Sequence, residues 1–307
     1  MTLRQLSDWL NRPEYLYQPN KLIQRVIRRN AVRNGVKVVV LPWHLPLELD
    51  TTESIGRIIS HHGIFEMPVV EAIFRLVDTS DTVLDVGANI GYMAAAAAAA
   101  GAKRVISFEP NPAIFPRLFR NVERWRHYPG LYGRIEAMQK AIHSESGVST
   151  LFIPRYSTNG GLSTLEMREG NDGYDKVQVP TTTLDAVIQE LSGPVGILKI
   201  DIEGHELQAL HGARESLSRR AIRDILYEEF DGASSQTTKF LASYGYSIFG
   251  LQRSITGPVL LPDLQPGSRL QGDHNLVATL DTVRLKRRMS ARGFMCLSRK
   301  ARLHFQN

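Results

Sequence analysis

From residue 83 onward this chain alternates short apolar runs with stretches of helical spacing, and that alternation constrains its fold more than any other feature. Residues 83–86 read as a strand and 93–100 as a helix. Residues 104–108 are a strand, 116–125 a helix and 135–140 a strand. After an interruption the pattern resumes, with strands at 195–200, 222–227 and 276–280 and helices at 205–217 and 237–243. Strands buried on both faces and joined by helices form a parallel sheet with helices on either side, the doubly wound α/β class. Such sheets bind ligands beyond the carboxyl ends of their strands, so functional residues are sought just after each strand.

The first strand ends at Asp85, and residues 85–91 read Asp-Val-Gly-Ala-Asn-Ile-Gly. Gly87 and Gly91 permit a tight turn and close approach to a ligand. The helix after the turn offers unpaired N–H groups to an anion. The dinucleotide fingerprint G-x-G-x-x-G is not met, because Asn89 stands where its middle glycine would be, and no G-x-x-x-x-G-K-[ST] phosphate loop occurs. The second strand ends at Glu109, 18 residues after Gly91. A carboxylate there can accept hydrogen bonds from both ribose hydroxyls, and it would repel a 2′-phosphate.

Residues 197–206 read Ile-Leu-Lys-Ile-Asp-Ile-Glu-Gly-His-Glu. Lys199 and Asp201 point to one face of their strand. A lysine in an apolar strand implies a partner, and Asp201 lies at the carboxyl end. Glu203 and Glu206 suit the start of the following helix. Asp201 could itself cap that helix. The alanine run that begins at residue 94 is read as packing only.

The four segments 85–91, 108–112 (Phe-Glu-Pro-Asn-Pro), 181–185 (Thr-Thr-Thr-Leu-Asp) and 198–206 together resemble the FkbM family of methyltransferases, over residues 60–280. The last is the most specific of them. The resemblance implies a Rossmann-like class I methyltransferase sheet of seven strands, mostly parallel with the last antiparallel. It implies S-adenosylmethionine as cofactor and O-methylation of a sugar, glycolipid or other secondary metabolite. By motif, Asp85, Gly87, Asn89 and Gly91, with the adjoining Ala88, would hold the methionine part. Glu109, followed by Pro110 and Asn111, would hold the ribose, and Ala141 and Ile142 the adenine. Glu66 is assigned to the cofactor's amino group. Three domains of sequence follow: an N-terminal helical and short β extension (1–60), the Rossmann-like domain (61–280) with an insertion at 148–180, and a basic C-terminal tail (281–307).

An alcohol is a poor nucleophile unless its proton leaves, so a base in reach is expected. Asp201 is the first candidate and His205 the second, with Lys199 beside them. Asp201 and Glu203 are hard oxygen ligands, but two carboxylates are too few for a metal site. Activity is therefore expected to survive excess chelator; its loss, and return with magnesium, would overturn that expectation.

The net charge of +6 is unevenly spread: residues 1–34 carry +5, residues 281–307 carry +7 and the body −6. An acidic body argues against a nucleic-acid partner. The partner expected is a small-molecule or glycan acceptor. The N-terminal segment has Leu22, Ile23, Val26 and Ile27 at helical spacing. Its basic face is read as solvated in preference to membrane-bound. With one cysteine, Cys296, no apolar run of about 20 residues and no secretory h-region, the default location is cytoplasmic. The competing enzyme readings are an NAD-dependent oxidoreductase or epimerase and an N-methyltransferase. The first lacks the G-x-G-x-x-G that it requires.

Overall fold

The computed structural model describes residues 35–129, 131, 134–155, 163–165, 173–262 and 274–298. The helical spacing at residues 22–27 lies outside these residues, as do most of 157–163 and of 267–275, two polar stretches that the sequence reading expects to shape the acceptor pocket.

The main sheet has eight strands. Its parallel part is β5 (Ile135–Met138), β4 (Arg104–Phe108), β3 (Thr82–Val86), β9 (Val195–Ile200) and β10 (Ile222–Glu228), side by side in that order. The last described strand, β13 (Asn275–Thr279), then runs antiparallel between β10 and β11 (Ser247–Ser254). This is the mostly parallel sheet with an antiparallel last strand that the family resemblance implies. An eighth strand, β12 (Gly257–Leu261), extends it by a hairpin with β11. Neither β11 nor β12 is evident from the sequence, because their residues are partly exposed and mixed in polarity.

Among the helices that cover one face of the sheet, two are wholly buried. In α2 (Met67–Leu76) all ten residues are buried, Glu71 and Arg75 included. In α3 (Tyr92–Ala99), a run of alanines after Met93, every residue is again buried. Methyl side chains let this helix lie close to the sheet, so the run is packing, as its composition implies. On the other face lie α5 (Leu184–Gln189), α6 (Glu206–His211), α7 (Arg214–Ser218) and α8 (Gln236–Ser243).

The insertion is a hairpin of β7 (Gly147–Pro154) and β8 (Tyr174–Thr182), with β6 (Ala141–Ile142) added in parallel to β8. The extension contributes a second hairpin, β1 (Val36–Val40) with β2 (Pro46–Asp50), and α1 (Ser54–His62). It is not a separate unit. Leu41, Trp43, Leu45, Leu47 and Leu49 belong to the same core as α2 and α3. Its β2 strand packs on α4 (Phe115–Arg126). There the buried Asn121 bonds both the N–H and the C=O of Glu48, at 2.8 and 3.0 Å, and also reaches the Ile90 carbonyl at 2.9 Å. One amide thus ties the extension to the glycine turn.

The basic tail also differs from its expected form. Residues 282–289 form a helix, α9 (Thr282–Met289), capped by Asp281 and packed on α2. Arg284 and Arg288 are partly buried and ion-paired. Both pair with Asp78, and Arg284 also with Asp224 at 3.0 Å. Arg223 joins the same cluster through Asp78, Asp81 and Asp224. Beyond the helix, the N–H groups of Met295 and Cys296 donate to the Glu71 carboxylate at 2.8 and 3.0 Å. Composition shows the charge of this segment but not the carboxylates waiting for it. Among the described residues, no helix is long and apolar enough to cross a membrane.

Candidate active site

A cavity of about 310 Å³ opens at the carboxyl ends of β3, β4, β9 and β10. Its floor is the turn after β3. Gly87 has φ +78°, and a Cβ there would stand 1.9 Å from the Asp201 carbonyl oxygen. The turn after β3 and the turn after β9 therefore touch backbone to backbone, which only glycine allows. Asn89 is also left-handed, with φ 50°. Its N–H donates to Glu109 at 2.9 Å.

Glu109 receives a second N–H, from Asn111, on its other oxygen at 2.9 Å. Burial pushes this carboxyl up to about 7, against the pull of the two amides. Each oxygen keeps a free lone pair, so the carboxylate can still accept from two vicinal hydroxyls.

The β9 residues form the opposite wall. Asp85 is paired with Lys199 across β3 and β9, and the Lys199 ammonium lies 4.0 Å from Asp85 and 3.1 Å from Asp201. Burial alone would lower the Lys199 ammonium, but the carboxylates of Asp201, Asp85 and Glu66 outweigh it and hold the pKa raised. Asp85 is 1% exposed, and neither of its oxygens has a hydrogen-bond partner within normal distance. Burial raises its pKa, with Lys199 opposing. After Asp201 the chain turns through two left-handed residues, Glu203 and Gly204. Glu206 steadies this turn by accepting from the N–H groups of Ile202 and Gly204. His205 follows, buried, with neither ring nitrogen partnered among the described residues and its ring 4.9 Å from that of His143. Burial, then His143, lowers its pKa to about 4, so the imidazole is neutral at pH 7.

Of the residues singled out in the sequence, Glu66, Gly87, Ala88, Asn89, Glu109, Pro110, Ala141, Ile142, Lys199, Asp201 and His205 line this one cavity. Asp85, Gly91 and Asn111 do not. Asp85 sits behind Lys199 and faces its ammonium. Gly91 has φ +89° and abuts Leu118 and Trp125 on the far side of the turn. Asn111 turns away to bond Ser163 Oγ at 2.9 Å. These three support the wall and do not form it.

The cavity has further residues that the motifs leave out. Ser54, Ile55 and Ile58 of α1 close one side, with Phe65 beside Glu66. The Phe65 N–H donates to the Tyr92 hydroxyl at 3.0 Å, which fixes the chain just before the left-handed Glu66. Lys140 and Ser163 lie on the insertion side. Glu228, the last residue of β10, completes the β9 wall. The strand-end rule could have found Glu228, but the apolar run closes one residue earlier, at Tyr227. Among the described residues there is no group of three or more His, Cys, Asp or Glu able to hold a metal ion.

Residues 85–248, more than half of the chain, match the model of the methyltransferase FkbM domain. The chain belongs to the FkbM methyltransferase family. The matched span of this FkbM domain runs from Asp85 into β11 and so takes in Glu109, Asp201, His205 and Glu228. Among curated proteins, the chain is 25% identical over 219 residues to the hexuronic acid methyltransferase AglP of Haloferax volcanii, covering 70% of this chain and 83% of that one. It is 29% identical over 201 residues to the 31-O-demethyl-FK506 methyltransferase FkbM of Streptomyces tacrolimicus, covering 56% and 75%. Among solved structures it is similar to a methyltransferase FkbM from Methylobacillus flagellatus, with 20% identity and a TM-score of 0.42. That match covers 65% of this chain but only 44% of the solved chain, so this protein spans less than half of it.

Proposed function

We propose that this FkbM methyltransferase uses S-adenosylmethionine to methylate a hydroxyl group of a sugar or a related secondary metabolite. The observation that carries the reading is a single cavity with Glu109 at one end and the Asp201 end of β9 at the other. The names of the two curated relatives, one a hexuronic acid methyltransferase and one a methyltransferase of an O-demethylated product, favour a hydroxyl-bearing acceptor.

The residues present fit the cofactor. Glu109 offers two free lone pairs to a ribose diol, and Ala141 and Ile142 offer an apolar surface to a base. The buried Asp85 carboxylate at 4.0 Å and the neighbouring Asp201 at 3.1 Å keep the Lys199 ammonium charged and fixed at the cavity wall. S-adenosylmethionine, when bound, supplies a methyl group on a positively charged sulfur. The protein has then to hold the acceptor oxygen in line with that methyl, and alignment of this kind is worth several kcal/mol. It has also to take the hydroxyl proton.

Isothermal calorimetry with S-adenosylhomocysteine tests the cofactor half of the proposal. Glu109→Ala removes two acceptors and should raise its Kd at least tenfold, at about 1.5 kcal/mol or more per hydrogen bond to a charged group. An unchanged Kd would sink the assignment. The acceptor half is tested by incubating the enzyme and S-adenosylmethionine with neutral hexosides, hexuronic acids and amino sugars. The expected product carries its methyl on oxygen, read by mass spectrometry and NMR. A methyl on nitrogen, or no product from any of them, would overturn the reading.

A further inference from the structure

We propose that Glu228 is the proton acceptor of this site, and that the positive charge of the methyl donor strips its own proton and so readies it. The inference rests on the methyl-transfer reading and deepens it.

The register of the sheet places the group. Tyr227 pairs with Ile200 in the parallel β9–β10 ladder, so Glu228 stands beside Asp201, one step further along both strands. Paired residues of a parallel ladder point to the same face, so Glu228 shares the face of Lys199 and Asp201. All three line the cavity. Their situations differ in what already holds them. The Asp201 Oδ2 atom accepts from the Lys199 ammonium at 3.1 Å. His205 is neutral and, with a pKa of about 4, a weak base. The Glu228 carboxylate, by contrast, has no hydrogen bond or ion pair with any described residue, its strand being held through the backbone ladder with β13.

The charges around Glu228 come from every element packed against it. On β9 they are Asp201 and Lys199, on α6 Glu206, and on its own strand's continuation Glu229. Glu66, Glu109, Lys140, Glu203 and His205 are the other charged or imidazole groups on the wall of the cavity. Burial first, then Asp201 and Glu206, push the Glu228 carboxyl up to about 7, with Lys199 opposing. A carboxyl so poised is about half protonated at pH 7 and matched to proton transfer near neutrality. A cation entering the same cavity favours its charged form, and the proton leaves to solvent. Glu228, charged in only about half of the empty molecules, then carries the negative charge in nearly all of those that hold a methyl donor. In the reaction the acceptor oxygen bonds the methyl carbon, and the carbon–sulfur bond breaks with its electron pair remaining on sulfur. The hydroxyl proton passes to the Glu228 carboxylate.

S-adenosylmethionine and S-adenosylhomocysteine differ in the charge on sulfur, so comparing them isolates this effect. Any protonation change at Glu109 is common to both and cancels. Calorimetry of each ligand at pH 7, in buffers of different ionisation heat, counts the protons released. We expect S-adenosylmethionine to release up to about half a proton more than S-adenosylhomocysteine, the fraction held by a group with a pKa of about 7. Glu228→Gln should abolish the difference while leaving the S-adenosylhomocysteine Kd unchanged, which also shows that the variant is folded. His205→Asn should retain the difference. Asp201→Asn should shrink it, because the Asp201 charge helps to hold the Glu228 proton. Equal proton counts in the unaltered protein, or a difference that survives Glu228→Gln, would overturn the proposal. Failure of both ligands to bind would instead overturn the methyl-transfer reading, and this inference with it. With an acceptor from the sugar panel, Glu228→Gln should lower kcat about a hundredfold or more. A kcat within threefold of the unaltered enzyme would refute the base role.

Discussion

Replacing Lys199 with methionine is expected to cost about 3–5 kcal/mol of folding stability, a fall in Tm on the order of 10 °C. Methionine keeps most of the apolar packing of the lysine stem and removes only the charge. Asp201 would be little affected, since its side chain is 29% exposed and can turn to water. Asp85, 1% exposed and without another cation in reach, would be stranded. The loss should depend on pH in a fixed direction. The Asp85 pKa in the folded protein is already raised by burial, and without Lys199 it rises further. Above the unfolded value the folded state then holds the extra proton, so stability falls as pH rises. The deficit should therefore be larger at pH 8 than at pH 5. Adding Asp85→Asn to Lys199→Met should recover much of it. Thermal melts of the two variants at both pH values check this. A single variant as stable as the parent, or a double variant worse than the single, would show that the pair does not hold this wall.

The second large effect is expected at Gly87. An alanine there would have to adopt φ +78° with its Cβ 1.9 Å from the Asp201 carbonyl oxygen. The left-handed backbone alone costs about 1–2 kcal/mol. The clash is with backbone, which cannot rotate away, so the β3 and β9 turns must separate. Cofactor affinity should fall with stability, because those turns are two walls of the cavity. Gly101 is the control. Its φ is +101°, but the nearest atom to an added Cβ is a Thr79 methyl at 3.7 Å. Gly101→Ala should show the conformational cost without loss of S-adenosylhomocysteine binding. Equal Kd values for the two variants would mean that the close approach at Gly87 is not what shapes the site.

The alternation of strands and helices, and the rule that ligands meet strand ends, made the sheet and most of the cavity legible in the sequence. Glu109, Asp201 and His205 fall where that rule puts them. What the motifs could not convey is which way a side chain points. Asp85 belongs to the most recognisable stretch of the chain, yet it turns from the cavity to a lysine 114 positions later. Gly91 likewise packs on the far side of the turn, and Asn111 acts through Ser163, which its amide bonds at 2.9 Å. Conversely, Glu228 and the α1 residues carry no motif. They reach the cavity only through long-range packing, as strand register sets Glu228 beside Asp201 and the β2–α4 contact brings the extension over the core. The C-terminal arginines were visible as charge, but their partners Asp78 and Asp224 lie some 60 to 210 residues upstream.

Those arginines bear on the order in which the fold can be assembled. A ribosome delivers Glu71, Asp78 and Asp81 first, then Arg223 and Asp224, and Arg284 and Arg288 only some 60 residues after those. Until then Asp78 lacks two of its three cationic neighbours, and the Glu71 carboxylate lacks the two N–H groups it accepts from. The antiparallel strand β13, between β10 and β11, emerges just before those two arginines. A nascent chain stalled before residue 275 would thus present the glycine turn and Glu109 while still missing a strand from the middle of its sheet, and should be held by chaperones or cut by proteases in preference to chains that carry residues 275–298.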